Sequence, residues 1–284
     1  MSDKNKVIKM VIFITIICFV IILVAAIALK RTNGIFNKDA NTAKSASQIT
    51  DENKFPESDT TKTSKVSVKY ETETYETKND EGKVVCHSER NIPIVSNPAY
   101  MRGAKRIENT LKGTMNDLWN NDLKRFSDDA KNIELENGPV GVKYMANLEY
   151  QTDEIVTFSL IIDGDFGTTA MGAHELYTFD IKTGENLSLE SSSNNSSELI
   201  NNIIVLTKEA IKERGIHITV HDNETEDMVI TSNMSRQGHF GILADGIHVN
   251  YQKYDITKES DQVIGVTLEK NKSNSLLKDE YKIK

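Results

Sequence analysis

Between Met10 and Leu29 the chain runs for 20 residues without a charge, inside the apolar segment VIKMVIFITIICFVIILVAAIAL from Val7 to Leu29. At about 1.5 Å per residue, a helix of that length crosses a hydrocarbon core of about 30 Å. It also satisfies its own backbone groups, which lipid cannot do. The sequence therefore predicts one transmembrane helix over residues 7–29, with residues 1–6 as a cytoplasmic tail. Lys4, Lys6 and Lys9 lie at or before its start, and the positive-inside bias keeps that end in the cytoplasm although Lys30 and Arg31 follow the run. The expected localisation is the cell membrane, single-pass, with the C-terminal domain extracellular. Ala26-Ile27-Ala28 offers the alternative of a signal-peptidase site. The run, however, exceeds the roughly 7–15 apolar residues of a cleaved signal. A lipoprotein site at Cys18 would need a small residue before it, and Ile17 stands there.

After the apolar run the composition changes twice. Residues 32–64 are rich in Asn, Ser, Thr, Asp and Lys and poor in apolar side chains. Such a stretch buries too little surface to offset chain entropy, so residues 30–64 read as a flexible linker. Beyond residue 35 the chain holds 29 basic and 41 acidic side chains. That sign argues against nucleic acid as a partner and suits a cationic one. Cys86 is the only cysteine beyond the apolar run, so no internal disulfide staples the remainder.

From residue 65 onward the hydrophobic period alternates between that of strands and that of helices. Val66, Val68 and Tyr70 alternate with polar residues, Asn79-Asp80-Glu81-Gly82 is a turn signal, and KVVCHSERNIPIV reads as the returning strand of a hairpin. Ala104, Ile107, Leu111, Met115, Leu118 and Phe126 then repeat at helical spacing, with Trp119 beside them. Strand-like runs follow at VGVKYMANLEY, EIVTFSLIIDG, ELYTFDI and ENLSL, with turns expected at Asp163-Gly164-Asp165 and Lys182-Thr183-Gly184. A second amphipathic helix carries Leu199, Ile203, Leu206, Ala210 and Ile211, with Asn195 and Glu198 as a capping box and Gly215 at its end. The last third reads as strands around the Ala244-Asp245-Gly246 hairpin turn. The expected fold class is α+β, antiparallel sheets with two amphipathic helices, in an N-terminal subdomain over 65–165 and a C-terminal subdomain over 166–284.

Few residues suggest chemistry. His217 and His221 share a side of an extended segment, about 13 Å apart by strand rise, too far for one metal ion. Asp163 and Asp165 lack the ladder of oxygen ligands that a calcium loop needs. No phosphate-cradling glycine loop, nucleophile elbow or Cys/His cluster is present, so no catalytic residue, metal site or cofactor is expected. His174 beside Glu175 could serve as an acid/base pair or simply as strand residues; Tyr251 and Tyr254 could form an aromatic binding patch, or one of them could be core. These four are the candidate ligand-binding residues.

The run GTTAMGAHELYTFDIKTGENLSLES resembles a recurring bacterial ectodomain pattern, carried here by Gly172, Ala173, His174, Thr178, Phe179, Asp180, Thr183, Gly184, Leu187, Ser188 and Leu189. FGILADGIHVNYQKYDI and VIGVTLE resemble the closing strands of the same pattern, and residues 65–165 resemble the domain that usually precedes it. The resemblance spans about residues 65–280. It is to the tandem extracytoplasmic domains of the lysozyme-binding anti-sigma factor of the σV stress response and of membrane-bound peptidoglycan deacetylases. It implies a Gram-positive cell-envelope protein whose domain is a non-catalytic recognition module for lysozyme or a cell-wall component such as peptidoglycan. The deacetylases' catalytic domain has no counterpart before Lys284, so that activity is not expected. An anti-sigma-like envelope-stress regulator is the alternative, although the nine residues before the uncharged run make a small platform for a sigma factor. A wall-active hydrolase using His174 and Glu175 is the third reading.

Overall fold

A computed structural model describes residues 65–130, 139–165, 170–260 and 262–284. The expected transmembrane helix at 7–29 and linker at 30–64 lie outside the described residues. Among the described residues no helix is long and apolar enough to cross a membrane.

The hairpin forms where its turn signal stands. β1 (Ser67–Lys78) and β2 (Val84–Ser96) pair antiparallel over their length. The Asn79 side-chain oxygen accepts from the backbone N–H of Glu81 (3.2 Å) and Lys83 (2.9 Å), which closes the turn. Asn97 then caps the chain into α1 (Met101–Ala130), accepting from Ala99 and Tyr100 N–H at 2.8 and 2.9 Å. α1 buries Ala104, Ile107, Leu111, Met115 and Trp119, the stripe its period predicts. The side chains of Leu118 and Phe126 lie outside the described ones. Two polar anchors fix the helix on the hairpin. Glu108, buried, accepts from Val95 N–H at 3.1 Å. Arg90 lies 4.9 Å over the Trp119 ring and donates to Asn116 and Glu73.

β3 (Gly141–Gln151), β4 (Ile155–Asp165) and β5 (Ala170–Asp180) complete a five-stranded sheet in the order β1-β2-β3-β4-β5. The sheet is not wholly antiparallel as expected, because β2 and β3 run parallel. A parallel pair needs a long crossover, and α1 supplies it. Asp163-Gly164-Asp165 is not a turn either: it ends β4, paired with β3 on one side and β5 on the other. ENLSL is not a strand. Asn186 makes an isolated bridge to Phe179, and Ser188 and Ser191 exchange capping bonds that start α2 (Leu189–Ser192).

The remaining chain builds a second layer. α3 (Ser196–Glu213) starts at Asn195, whose oxygen accepts from Glu198 N–H at 3.3 Å while its amide donates to the Glu198 carboxylate at 3.1 Å. It buries Leu199, Ile203, Thr207 and Ile211. α4 (Glu226–Met234), β6 (Phe240–Leu243), β7 (Gly246–Tyr251), β8 (Ile264–Glu269) and α5 (Lys270–Leu276) follow, with β6-β7-β8 an antiparallel sheet turning at the expected Ala244-Asp245-Gly246. The described residues thus hold five α-helices rather than the two amphipathic ones expected. α4 escaped because its apolar residues Met228, Val229 and Ile230 are consecutive, and α5 because it is short and polar. The α+β class and the antiparallel second sheet are as read from the sequence.

One compact unit, Ser58–Lys284, contains both sheets. β6 lies against the back of β3–β5. There Thr157 Oγ1 donates to the Ile242 carbonyl (2.7 Å) and Thr178 Oγ1 accepts from Ile242 N–H (2.9 Å). The Leu176 N–H reaches the Gly238 carbonyl at 2.7 Å, a parallel bridge at the β5 edge.

Candidate functional site

A cavity of about 660 Å³ opens where the two layers meet. Its walls come from four places: Arg106 and Thr110 of α1, the turn and loop from Gly184 to Leu189, the segment Met234–Gly238 leading into β6, and Lys278 with Tyr281 near the C-terminus. The first two walls are locked by close backbone packing. Gly184 has φ 70°, and a Cβ there would strike the Gly103 carbonyl; a Cβ on Gly103 would strike the Ile181 carbonyl. Only glycine accepts both constraints at 184. The first turns of α1 therefore sit on the turn that follows β5, which brings Arg106 beside Glu185.

The lining is rich in cations. Arg106 meets Glu185 at 3.2 Å in an exposed pair, and Arg236 meets Asp255 at 3.0 Å. Among the described residues, the Lys278 ammonium has no carboxylate or hydrogen-bond partner. Tyr281 donates to Asp180 at 3.2 Å; burial and that carboxylate push its phenol up to about 12, so it stays protonated near neutral pH. The Asn186 side-chain oxygen is buried and accepts no hydrogen bond. A buried acceptor without a donor carries a desolvation cost.

Behind the Met234–Gly238 wall is a set of titratable groups from three strands and loops. Tyr177 donates to Glu175 at 2.6 Å. Burial is the main cause that raises the Glu175 carboxyl above its usual range, with the Asp255 charge adding; the Tyr177 bond and His239 oppose it. His239 is buried, with Nε2 2.9 Å from Asp255 Oδ2, while Asp255 also accepts from Gln252 N–H at 2.5 Å. Gly238 has φ 88°, and a Cβ there would lie 3.0 Å from the Tyr177 hydroxyl. An imidazole oriented by a carboxylate is half of a nucleophile-activating triad. The other half is not assembled among the described residues, since His239 Nδ1 has no partner.

The four residues singled out from sequence do not converge. His174 and Glu175 are neighbours on β5 and project to opposite faces, so they form no acid/base pair. The His174 backbone is held by Gln252 and Asn250 across the sheets, and burial lowers its ring pKa. Tyr251 is fully buried in β7, with its hydroxyl 3.0 Å from Thr207 and its pKa pushed up by burial to about 12; it is core. Tyr254 is 57% exposed at φ 66° and lines a smaller cavity of about 200 Å³ with Arg236 and Asp255. Of the four, Glu175 feels the charge of Asp255, and Tyr254 shares the smaller cavity with Arg236 and Asp255.

His217 and His221 are exposed, in a segment that is neither helix nor strand. Cys86 is buried in β2, and burial pushes its thiol up. Among the described residues no group of three or more His, Cys, Asp or Glu could hold a metal ion. Sequence reasoning missed Arg106, Asn186, Arg236, His239, Asp255 and Lys278. The signal within reach was Arg236-Gln237-Gly238-His239, where a turn glycine sits among polar residues just before a strand.

No protein-family model and no curated protein matches the chain. Solved structures do. A DUF3298 family member from Bacteroides fragilis NCTC 9343 is 12% identical with a TM-score of 0.49, over 77% of this chain and 96% of that one. A DUF3298 family protein from Pseudomonas aeruginosa PAO1 is 12% identical with a TM-score of 0.47, over 76% of this chain and 95% of that one.

Proposed function

We propose that this chain is a membrane-anchored, extracytoplasmic, non-catalytic binding module of the cell envelope, and that it takes a cell-wall component in the cavity between its two layers. The cavity carries the reading. It is lined by arginine, lysine, amide and hydroxyl groups, a donor-rich wall suited to holding a polar ligand. The anchor rests on the uncharged run from Met10 to Leu29 and the lysines before it. The envelope setting rests on the resemblance of residues 65–280 to the tandem ectodomains. The test is a calorimetric titration of the full-length chain, solubilised in detergent, with soluble fragments of peptidoglycan. Saturable binding that Arg236→Ala weakens at least about tenfold supports the cavity as the site. Heat that survives this substitution unchanged in a folded variant places the ligand elsewhere.

A second reading has its own observation. The excess of 41 acidic over 29 basic side chains beyond residue 35 suits a cationic protein such as lysozyme, docking on the outer surface. Its mark is binding that weakens steeply with salt and is indifferent to Arg236→Ala.

A further inference from the structure

β1 is the outermost strand of the five-stranded sheet, and among the described residues no strand lies beyond it. In an antiparallel ladder every second residue of such a strand turns its N–H and C=O away from its one neighbour. At about 3.4 Å per residue, the 12 residues of β1 offer an open row about 40 Å long. Folded proteins blunt long open edges with short strands, prolines, bulges or covering segments. β1 has no proline, pairs regularly with β2 as far as a bulge at Thr77/Lys78, and leaves ten of its 12 residues exposed, so neither face is covered. What it carries instead is charge of one sign: ETETYE, from Glu71 to Glu76, holds three carboxylates and no cation. We infer that this edge takes up an extended, lysine- or arginine-bearing segment of another protein as a sixth strand.

The charges decide what can pair with this edge. Side chains alternate along a strand, so Glu71 and Glu73 share one face about 7 Å apart and Glu76 lies on the other. Among the described residues Glu71 has no ion pair. Arg90 takes Oε2 of Glu73, and among the described residues no bond reaches Oε1. Glu76 meets His87 at 3.2 Å in an exposed pair. Two copies of β1 laid antiparallel over their whole length put Glu71 opposite Glu73, or Glu73 opposite itself, and like charges directly opposite destabilise a ladder. A strand with cations at two alternate positions meets Glu71 and Glu73 together. Main-chain bonds supply the affinity of an added strand, and side chains supply its specificity. Tyr70 and Tyr75, exposed on opposite faces of β1, offer apolar contact on both sides. The inference uses no residue of the cavity, so it stands or falls separately from the ligand proposed there.

To test it, the full-length chain in a non-ionic detergent is titrated with a fluorescent threonine–valine decapeptide that carries lysine at two alternate central positions. Three further peptides serve as controls: one with glutamate in place of lysine, and two with backbone N-methyl groups on one or the other alternate set of amides. Only one alternate set of N–H groups in an added strand faces its neighbour. One methylated peptide should therefore bind like the parent, and the other at least about tenfold more weakly. The glutamate peptide should bind more weakly still. Glu71→Lys alters an exposed side chain with no ion pair, and melting checks that the variant is folded; it should weaken the lysine peptide about fivefold, and added salt should weaken it too. Hydrogen exchange should show amides slowed by the peptide within Ser67–Lys78. Absence of binding, equal binding of both methylated peptides and the parent, or undiminished affinity in folded Glu71→Lys overturns the inference. Slowed exchange in β1 that grows with the concentration of the chain alone means that a second copy fills the edge, and overturns it as well.

Discussion

Glu175 is the residue at which burial and charge disagree most visibly. Its carboxylate accepts from Tyr177 at 2.6 Å, which favours ionisation, yet desolvation outweighs that bond and raises its pKa. The folded state therefore holds this proton more tightly than the unfolded chain does. Stability from that proton is complete below the ordinary glutamate range of about 4.3 and is lost as pH rises through the raised folded value. Glu175→Gln keeps an oxygen for Tyr177 and removes the titration. In urea melts the variant should gain on wild type as pH climbs from about 4 towards neutrality, with the two converging at the acid end. A difference that does not change with pH would show that Glu175 ionises without cost. At this scale the sequence was a poor guide. It made His174 and Glu175 adjacent, and strand alternation then sent them to opposite faces. It also gave Tyr251 and Tyr254 equal standing, although β7 ends between them, burying one and leaving the other outside.

Among the elements, the join between the sheets depends on hydroxyls. Thr157 and Thr178 sit side by side on β4 and β5, 2.9 Å apart, and together satisfy both the N–H and the carbonyl of Ile242. Thr178→Val keeps the shape and removes the acceptor for a buried N–H. An orphaned buried donor costs about 1–3 kcal/mol, so chemical denaturation should show a loss of that size. A loss below about 0.5 kcal/mol would mean that β6 finds another partner. The elements that sequence revealed are those with an uninterrupted period: the first hairpin, α1, α3 and the last hairpin. The parallel β2–β3 pairing was hidden because direction depends on how a crossover packs, which period does not encode. α4 was hidden because its buried face, Val229, Ile230, Asn233 and Met234, includes a polar residue while the apolar Met228 is left exposed, so the helical period is broken.

Across the whole molecule, the final residues tie the two layers together. Ile283 is buried in the second core and its N–H reaches Asn274 of α5 at 2.7 Å. The next residue crosses to the first sheet: Lys284 N–H donates to the Tyr150 hydroxyl at 3.1 Å, and its ammonium reaches Glu154 at 3.0 Å. Tyr281 meets Asp180 at the end of β5. These contacts, like those that gather Arg106, Arg236 and Lys278 around one cavity, join positions far apart in the chain, so no local pattern announces them. They supplement the β5–β6 contact, through which unfolding of either sheet exposes buried surface of the other. Removing Tyr281–Lys284 deletes one buried isoleucine and several bonds between layers, a loss of about 2–4 kcal/mol. If the layers are one cooperative unit, the truncated chain should still melt in a single calorimetric transition, shifted down by several degrees. A second, lower transition confined to the C-terminal layer would instead mean that the sheets fold separately and that the terminal staple is what couples them.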